Sequence, residues 1–131
     1  MFSLGIGSAQ PYVYVSNISG NTISVVNTAT NTVSATISVP GSPSSPTGLA
    51  LTPDGAYIYV ACQGTNSVSV ISTATKAVVA SIPVGTTPVQ LAITPNGAEV
   101  YVVVRGLNQI AVIDTTSHRS DWARMPGYRS D

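Results

Sequence analysis

Few side chains in this 131-residue chain can do chemistry, and their spacing limits which chemistry is open to them. Outside the last fifteen residues the ionised groups are Asp54, Lys76, Glu99, Arg105 and Asp114. The only thiol is Cys62, and the only imidazole, His118, lies near the end. Zinc takes three or four Cys, His or carboxylate ligands, which one Cys and one His in unrelated regions do not supply. A nucleophilic triad has serines to choose from, but His118 stands apart from any nucleophile-elbow pattern. Glu99 has no second carboxylate placed for paired acid–base work and reads as a solvated charge at a strand end. Cys62 reads as a small buried side chain. The glycines fall in turns rather than in a phosphate loop. No catalytic, cofactor-binding or metal residue is expected, no cofactor is implied, and the chain is expected not to be an enzyme.

Asp54 shows how the structural reading wins. It sits in Thr52-Pro53-Asp54-Gly55, whose counterpart is Thr94-Pro95-Asn96-Gly97. A catalytic carboxylate is not interchangeable with an amide, but an Asx residue in a turn is. Pro presets φ for the first central position, Asp or Asn tolerates the next, and Gly accepts positive φ.

Those turns belong to a repeat. Pro46–Val60, PTGLALTPDGAYIYV, is nearly copied at Pro88–Val102, PVQLAITPNGAEVYV, so that Pro53, Gly55 and Tyr59 return 42 residues later as Pro95, Gly97 and Tyr101. A fixed period of this size means one supersecondary unit built several times. Runs of Val, Ile, Tyr and Thr bounded by Gly, Pro, Asn or Ser predict strands at Tyr12–Asn17, Thr22–Val26, Thr32–Val39, Thr47–Thr52, Ala56–Cys62, Ser67–Ile71, Ala77–Val84, Val89–Thr94, Glu99–Val104 and Gln109–Ile113. No segment sustains a helical period.

Within the unit, Thr32–Val39 alternates apolar Val33, Ala35, Ile37 and Val39 with Thr and Ser, as a strand with one wet face does. Its counterpart contains Pro83, which belongs on an edge. Thr22–Val26 and Ser67–Ile71 are apolar on both sides and sit mid-sheet. Thr47–Thr52 and Val89–Thr94, narrow on one side, suit a crowded place near an axis. The fold class is all-β: a partial β-propeller of about two and a half to three four-stranded antiparallel blades with a period of about 42 residues. A β-sandwich has no reason to repeat its sequence, and a parallel β-helix lacks antiparallel turns.

Charged residues make up 8% of the chain, against roughly 25% in ordinary soluble domains, and the net charge is zero. Nucleic acid is therefore not an expected partner. No apolar run reaches the roughly 18 residues of a membrane span. Residues 1–10 are expected to be a leader, with Ser8-Ala9-Gln10 near a signal-peptide cleavage pattern. Asn17-Ile18-Ser19 is a glycosylation sequon, relevant only in a host that glycosylates secreted proteins.

The repeat resembles the YVTN family of β-propellers. The tetrapeptide stands as Tyr14-Val15-Ser16-Asn17, then as Tyr59-Val60-Ala61-Cys62, and most altered as Tyr101-Val102-Val103-Val104. The companion motif matches at Asn21–Thr30 and Asn66–Thr75, and in part at Asn108–Thr116. The resemblance covers residues 11–116 and implies a cell-surface, surface-layer or secreted protein, hence an extracellular, periplasmic or cell-surface location. Related propellers include lactonases, but none of their catalytic motifs is matched.

After Thr116 the outer strand of the third copy is expected to be missing. Residues 117–131, SHRSDWARMPGYRSD, carry three of the five Lys/Arg and the only Trp. They read as an atypical, disordered tail rather than as a binding segment built on Arg119, Arg124, Arg129 and Trp122. The expectation is a non-catalytic propeller module that binds an unidentified protein or surface ligand, a fragment of a larger propeller, prone to self-association through exposed blade faces and strand edges. The alternative is a fragment of a lactonase-like hydrolase whose catalytic residues lie in other blades.

Overall fold

The computed structural model describes residues 2–3, 12–42 and 44–121. Among these the regular elements are twelve strands and one short 3-10 turn, Arg105–Leu107. The strands are β1 (Phe2–Ser3), β2 (Tyr12–Asn17), β3 (Thr22–Asn27), β4 (Thr32–Ser38), β5 (Pro46–Leu51), β6 (Tyr57–Cys62), β7 (Ser67–Ser72), β8 (Ala77–Pro83), β9 (Pro88–Ile93), β10 (Glu99–Val104), β11 (Gln109–Asp114) and β12 (Arg119–Asp121). They form three four-stranded sheets, β1 to β4, β5 to β8 and β9 to β12, each antiparallel and each in chain order. We call them blades 1, 2 and 3.

Alternation along the strands decides what each blade buries. One apolar cluster joins Tyr14, Ile23, Val25, Ile37 and Val39 of blade 1 to Leu49, Ile58, Val60, Cys62 and Ile71 of blade 2. A second joins the opposite face of blade 2, through Tyr59, Ala61, Val68 and Val70, to Leu91, Val100, Val102, Val104 and Ile113 of blade 3. Blade 2 is thus sandwiched, and Ser67–Ile71 of β7 is buried on both faces. Each fully buried Val or Ile contributes roughly 1.5–3 kcal/mol, so the blade interfaces carry the fold.

The innermost strands converge. The Thr47 hydroxyl donates to the carbonyls of Ala61 and, in the next blade, Val89. Ser16 Oγ donates to the Thr47 carbonyl at 2.6 Å. A Cβ on Gly48 would lie 2.8 Å from both Gln90 Cα and the Val89 carbonyl oxygen. Only glycine lets the two backbones approach this closely. Leu49 and Leu91, equivalent in the repeat, are both buried.

The outer strands are wet, as β4 and β8 show, but one expectation needs correction. Val33 does not share the covered side of β4; it is 60% exposed. A bulge shifts the pairing so that Val25 faces Ala35 and Val26 faces Val33, and such an extra residue turns side chains to the other face.

The third blade also differs from expectation. Arg119–Asp121 pairs with β11, so the outer strand that composition hid is present. Ser120 Oγ donates to the Pro83 carbonyl of blade 2. Residues 117–121 are therefore a turn and a strand, while 122–131 lie outside the described residues. At the other end Phe2–Ser3 pairs with β2; the rest of the leader lies outside the described residues.

Asparagines clasp one blade to the next. Asn21 and Asn66 take positive φ, 58° and 54°, at the ends of equivalent turns. Asn21 Oδ1 accepts from the Ser44 and Ser45 amides, and Asn66 Oδ1 from the Thr87 amide. Asn is the non-glycine residue best suited to this conformation. Asn66→Ala is expected to cost about 1–3 kcal/mol, since it combines left-handed strain with an unpaired amide. Asn66→Gly should cost less, by removing only the bond. Urea titration of the two variants measures the difference, and equal costs would mean that backbone conformation contributes nothing.

A polar cleft between two blades

Three turns at one end of blades 2 and 3 enclose a cleft of about 470 Å³. The β5–β6 turn contributes Asp54 and, just beyond it, Tyr57; the β9–β10 turn contributes Asn96; the β11–β12 turn contributes Thr116 and His118. Tyr59 forms part of the wall.

The first two turns are built alike. The Thr52 hydroxyl donates to Asp54 Oδ1 at 2.7 Å, and the Ala56 amide donates to the same oxygen at 3.0 Å. Thr94 and Ala98 do the same for Asn96 Oδ1 at 2.8 and 3.0 Å. The turn chemistry expected of Asp54 and Asn96 is what holds them, and Gly55 and Gly97 both take φ of 73°. The two bonds, the Thr52 hydroxyl first and the Ala56 amide second, hold the Asp54 carboxyl below the usual carboxylate range.

His118 was expected in a loose tail; it is instead the left-handed residue of the β11–β12 turn, with φ 56°. Asn31 and Lys76 occupy the same place in the other blades, at 56° and 57°. The His118 amide donates to the Asp114 carbonyl at 2.8 Å, as Lys76 does to Ser72. Its ring stacks on Tyr59 with centroids 6.4 Å apart and 25° between planes. Its Nδ1 is buried and meets no hydrogen-bond partner. The matching offset from Lys76 was the one sequence signal that could have placed it.

The other candidates lie elsewhere. Glu99 is half-buried, and its Oε1 accepts from the Tyr101 hydroxyl at 3.5 Å. Cys62 is buried beside Ser69, and burial pushes its thiol up. Among the described residues no three His, Cys, Asp or Glu side chains gather as a metal site. No helix is long and apolar enough to cross a membrane.

Antiparallel sheets of four strands, stacked face to face with their first strands converging, define this as a β-propeller protein. A family model described as Lactonase, 7-bladed beta-propeller matches residues 4–81, and the chain belongs to that family. Among solved structures it is similar to the Kuenenia stuttgartiensis hydrazine synthase, at 34% identity and a TM-score of 0.79, covering 85% of this chain and 31% of that one. It is also similar to a putative 6-phosphogluconolactonase from Bacteroides fragilis, at 22% identity and a TM-score of 0.73, with 85% and 34% covered. A catalytically inactive virginiamycin B lyase from Staphylococcus aureus gives 15% identity and a TM-score of 0.75, with 92% and 39% covered. The last two likenesses show the fold alone. The chain spans about a third of the length of the solved structures it matches. No curated protein matches it.

The family corrects the expectation that this chain is not an enzyme. Residues 4–81 match a family described by a hydrolase activity. The expectation rests on missing triads and metal ligands, and it assigns single carboxylates in turns to structure alone.

Proposed function

We propose that this chain serves a lactonase-type hydrolase and that the cleft between blades 2 and 3 holds the lactone. One observation carries the reading: five of the ten residues lining the cleft, Thr52, Pro53, Asp54, Tyr57 and Tyr59, lie inside the segment that matches the lactonase family. Within that family we place the chain with the YVTN-type repeats, on the tetrapeptides at Tyr14–Asn17 and Tyr59–Cys62.

The chemistry follows from the groups present. The exposed Tyr57 ring, which lines the cleft, offers a flat surface for a small ring. Asn96 Oδ1 is committed to its turn, so its Nδ2 is the atom that can donate to a carbonyl oxygen. The ionised Asp54 carboxylate takes a proton from water as the oxygen bonds to the lactone carbonyl carbon. Collapse breaks the ring C–O bond, and the departing oxygen takes back the proton held by Asp54, which gives the open hydroxy acid and restores the carboxylate.

Because the Asp54 pKa is lowered and the active form is the ionised one, activity persists at neutral pH. It fails only as pH falls below the ordinary carboxylate range. A pH-stat assay on γ- and δ-lactones tests this. Asp54→Asn keeps the turn, since Asn96 makes the same bonds, and is expected to slow turnover on the order of 10²–10⁴-fold with an unchanged melting curve. A variant as fast as the parent, or a parent no faster than buffer, overturns the proposal.

A further inference from the structure

The walls of the cleft between blades 2 and 3 restrict the charge of what enters it. Proteins hold a phosphate group with Lys or Arg side chains, or with backbone amides that a turn leaves pointing at the anion. In this cleft the turns use their own amides. Gly55 and Gly97 donate to the Thr52 and Thr94 carbonyls, both at 2.8 Å. The Ala56 and Ala98 amides donate to Asp54 Oδ1 and Asn96 Oδ1, both at 3.0 Å. In the third turn the Thr116 and Ser117 amides both donate to Asp114 Oδ1, and the His118 amide to the Asp114 carbonyl.

The cations are directed elsewhere. Among the described residues none of Lys76, Arg105 and Arg119 lines the cleft, and Lys76 Nζ donates to the Thr73 carbonyl of its own turn. His118 is on the wall, but its Nδ1 is buried and its ring lies along Tyr59. Asp54 places a carboxylate on the same wall, and an anionic group brought beside it is repelled.

What the walls offer instead suits hydroxyl groups. Tyr57 and Thr116 bring hydroxyls, which can donate and accept, and Asn96 brings an amide. The exposed Tyr57 ring can cover the C–H face of a saturated ring. We propose that the cleft takes an uncharged, polyhydroxylated lactone in preference to a phosphorylated one. The assignment rests on the lactonase reading and narrows it to a substrate class.

Initial rates of the 131-residue chain on glucono-δ-lactone, its terminal phosphate ester and unsubstituted δ-valerolactone test it. At low ionic strength kcat/KM is expected to be roughly 10–100-fold lower on the phosphate ester than on glucono-δ-lactone. The gap is expected to narrow as salt approaches about 1 M, where charges are screened within about 3 Å. δ-Valerolactone, which lacks the hydroxyls, is expected to be the poorer of the two uncharged substrates. Thr116→Lys puts a cation at an exposed position on the wall and is expected to raise kcat/KM on the phosphate ester alone, with an unchanged melting curve. A phosphate ester turned over as fast as glucono-δ-lactone at low salt, or δ-valerolactone turned over faster, overturns the substrate class and leaves the lactonase reading standing. No turnover of any of the three overturns the lactonase reading. In that event calorimetry with the non-hydrolysable lactam of gluconic acid and its phosphate ester still reads the preference. Tighter binding of the uncharged lactam supports the class, and equal, reversed or absent binding overturns it.

Discussion

Gly48→Ala is expected to lower the unfolding free energy by about 2–3 kcal/mol, a large part of what a domain of this size has. The added methyl would sit 2.8 Å from Gln90 Cα and from the Val89 carbonyl oxygen. Both are backbone atoms of the neighbouring inner strand, so no rotamer change relieves the contact. The Gln90 side chain also crowds the position through its Oε1, and that part can swing away. The pair of variants separates the two effects: Gln90→Ala should not rescue Gly48→Ala. Rescue, or a cost below about 0.5 kcal/mol by urea titration, would mean that the inner strands have room to spare.

Tyr59→Ala is expected to cost about 3–5 kcal/mol. Among the described residues the ring is the largest of the fully buried side chains, and it lies in the interface between blades 2 and 3. Its removal also takes away the surface on which His118 stacks, a contact of about 1 kcal/mol in buried aromatic pairs. Tyr59→Phe keeps the ring and should retain most of the stability. Because burial, with lesser contributions from Tyr57 and Asp114, raises the Tyr59 hydroxyl above its ordinary value, it stays neutral in the fold. Its contribution is complete below the ordinary tyrosine range and fades as pH rises through the raised value. Parent and Tyr59→Phe melting at neutral and strongly alkaline pH compares the two. If Tyr59→Phe loses as much as Tyr59→Ala at neutral pH, the hydroxyl and not the packed ring holds the interface.

Most of this architecture was legible because packing and local preference agree. Tyr12–Asn17 and Glu99–Val104 form the strands their sequences predict to the residue. The other predicted strands shift by a residue or so, where turn hydrogen bonds rather than side chains set the ends. Gly48 was legible as part of a narrow strand near an axis, since glycine in a strand marks close approach. What was not legible came from pairing. Arg119–Asp121 has no apolar alternation to announce a strand; the open edge of β11 imposes the extended backbone. The bulge that turns Val33 outward is likewise a property of two strands together. The cleft was missed for a related reason. Asp54, Asn96 and His118 are far apart in sequence and have ordinary reasons for their own turns, and only the stacking of blades brings them to one wall.

The strand order carries an implication for how such chains change in length. Among the described residues no sheet borrows a strand from another; β1 to β4, β5 to β8 and β9 to β12 are each laid down in succession. A duplication or deletion of one 42-residue stretch of DNA-encoded text therefore inserts or removes a whole cassette without rethreading the remainder. Lineages built this way can lengthen by unequal crossing-over while every surviving unit keeps its own hydrogen-bonded ladder.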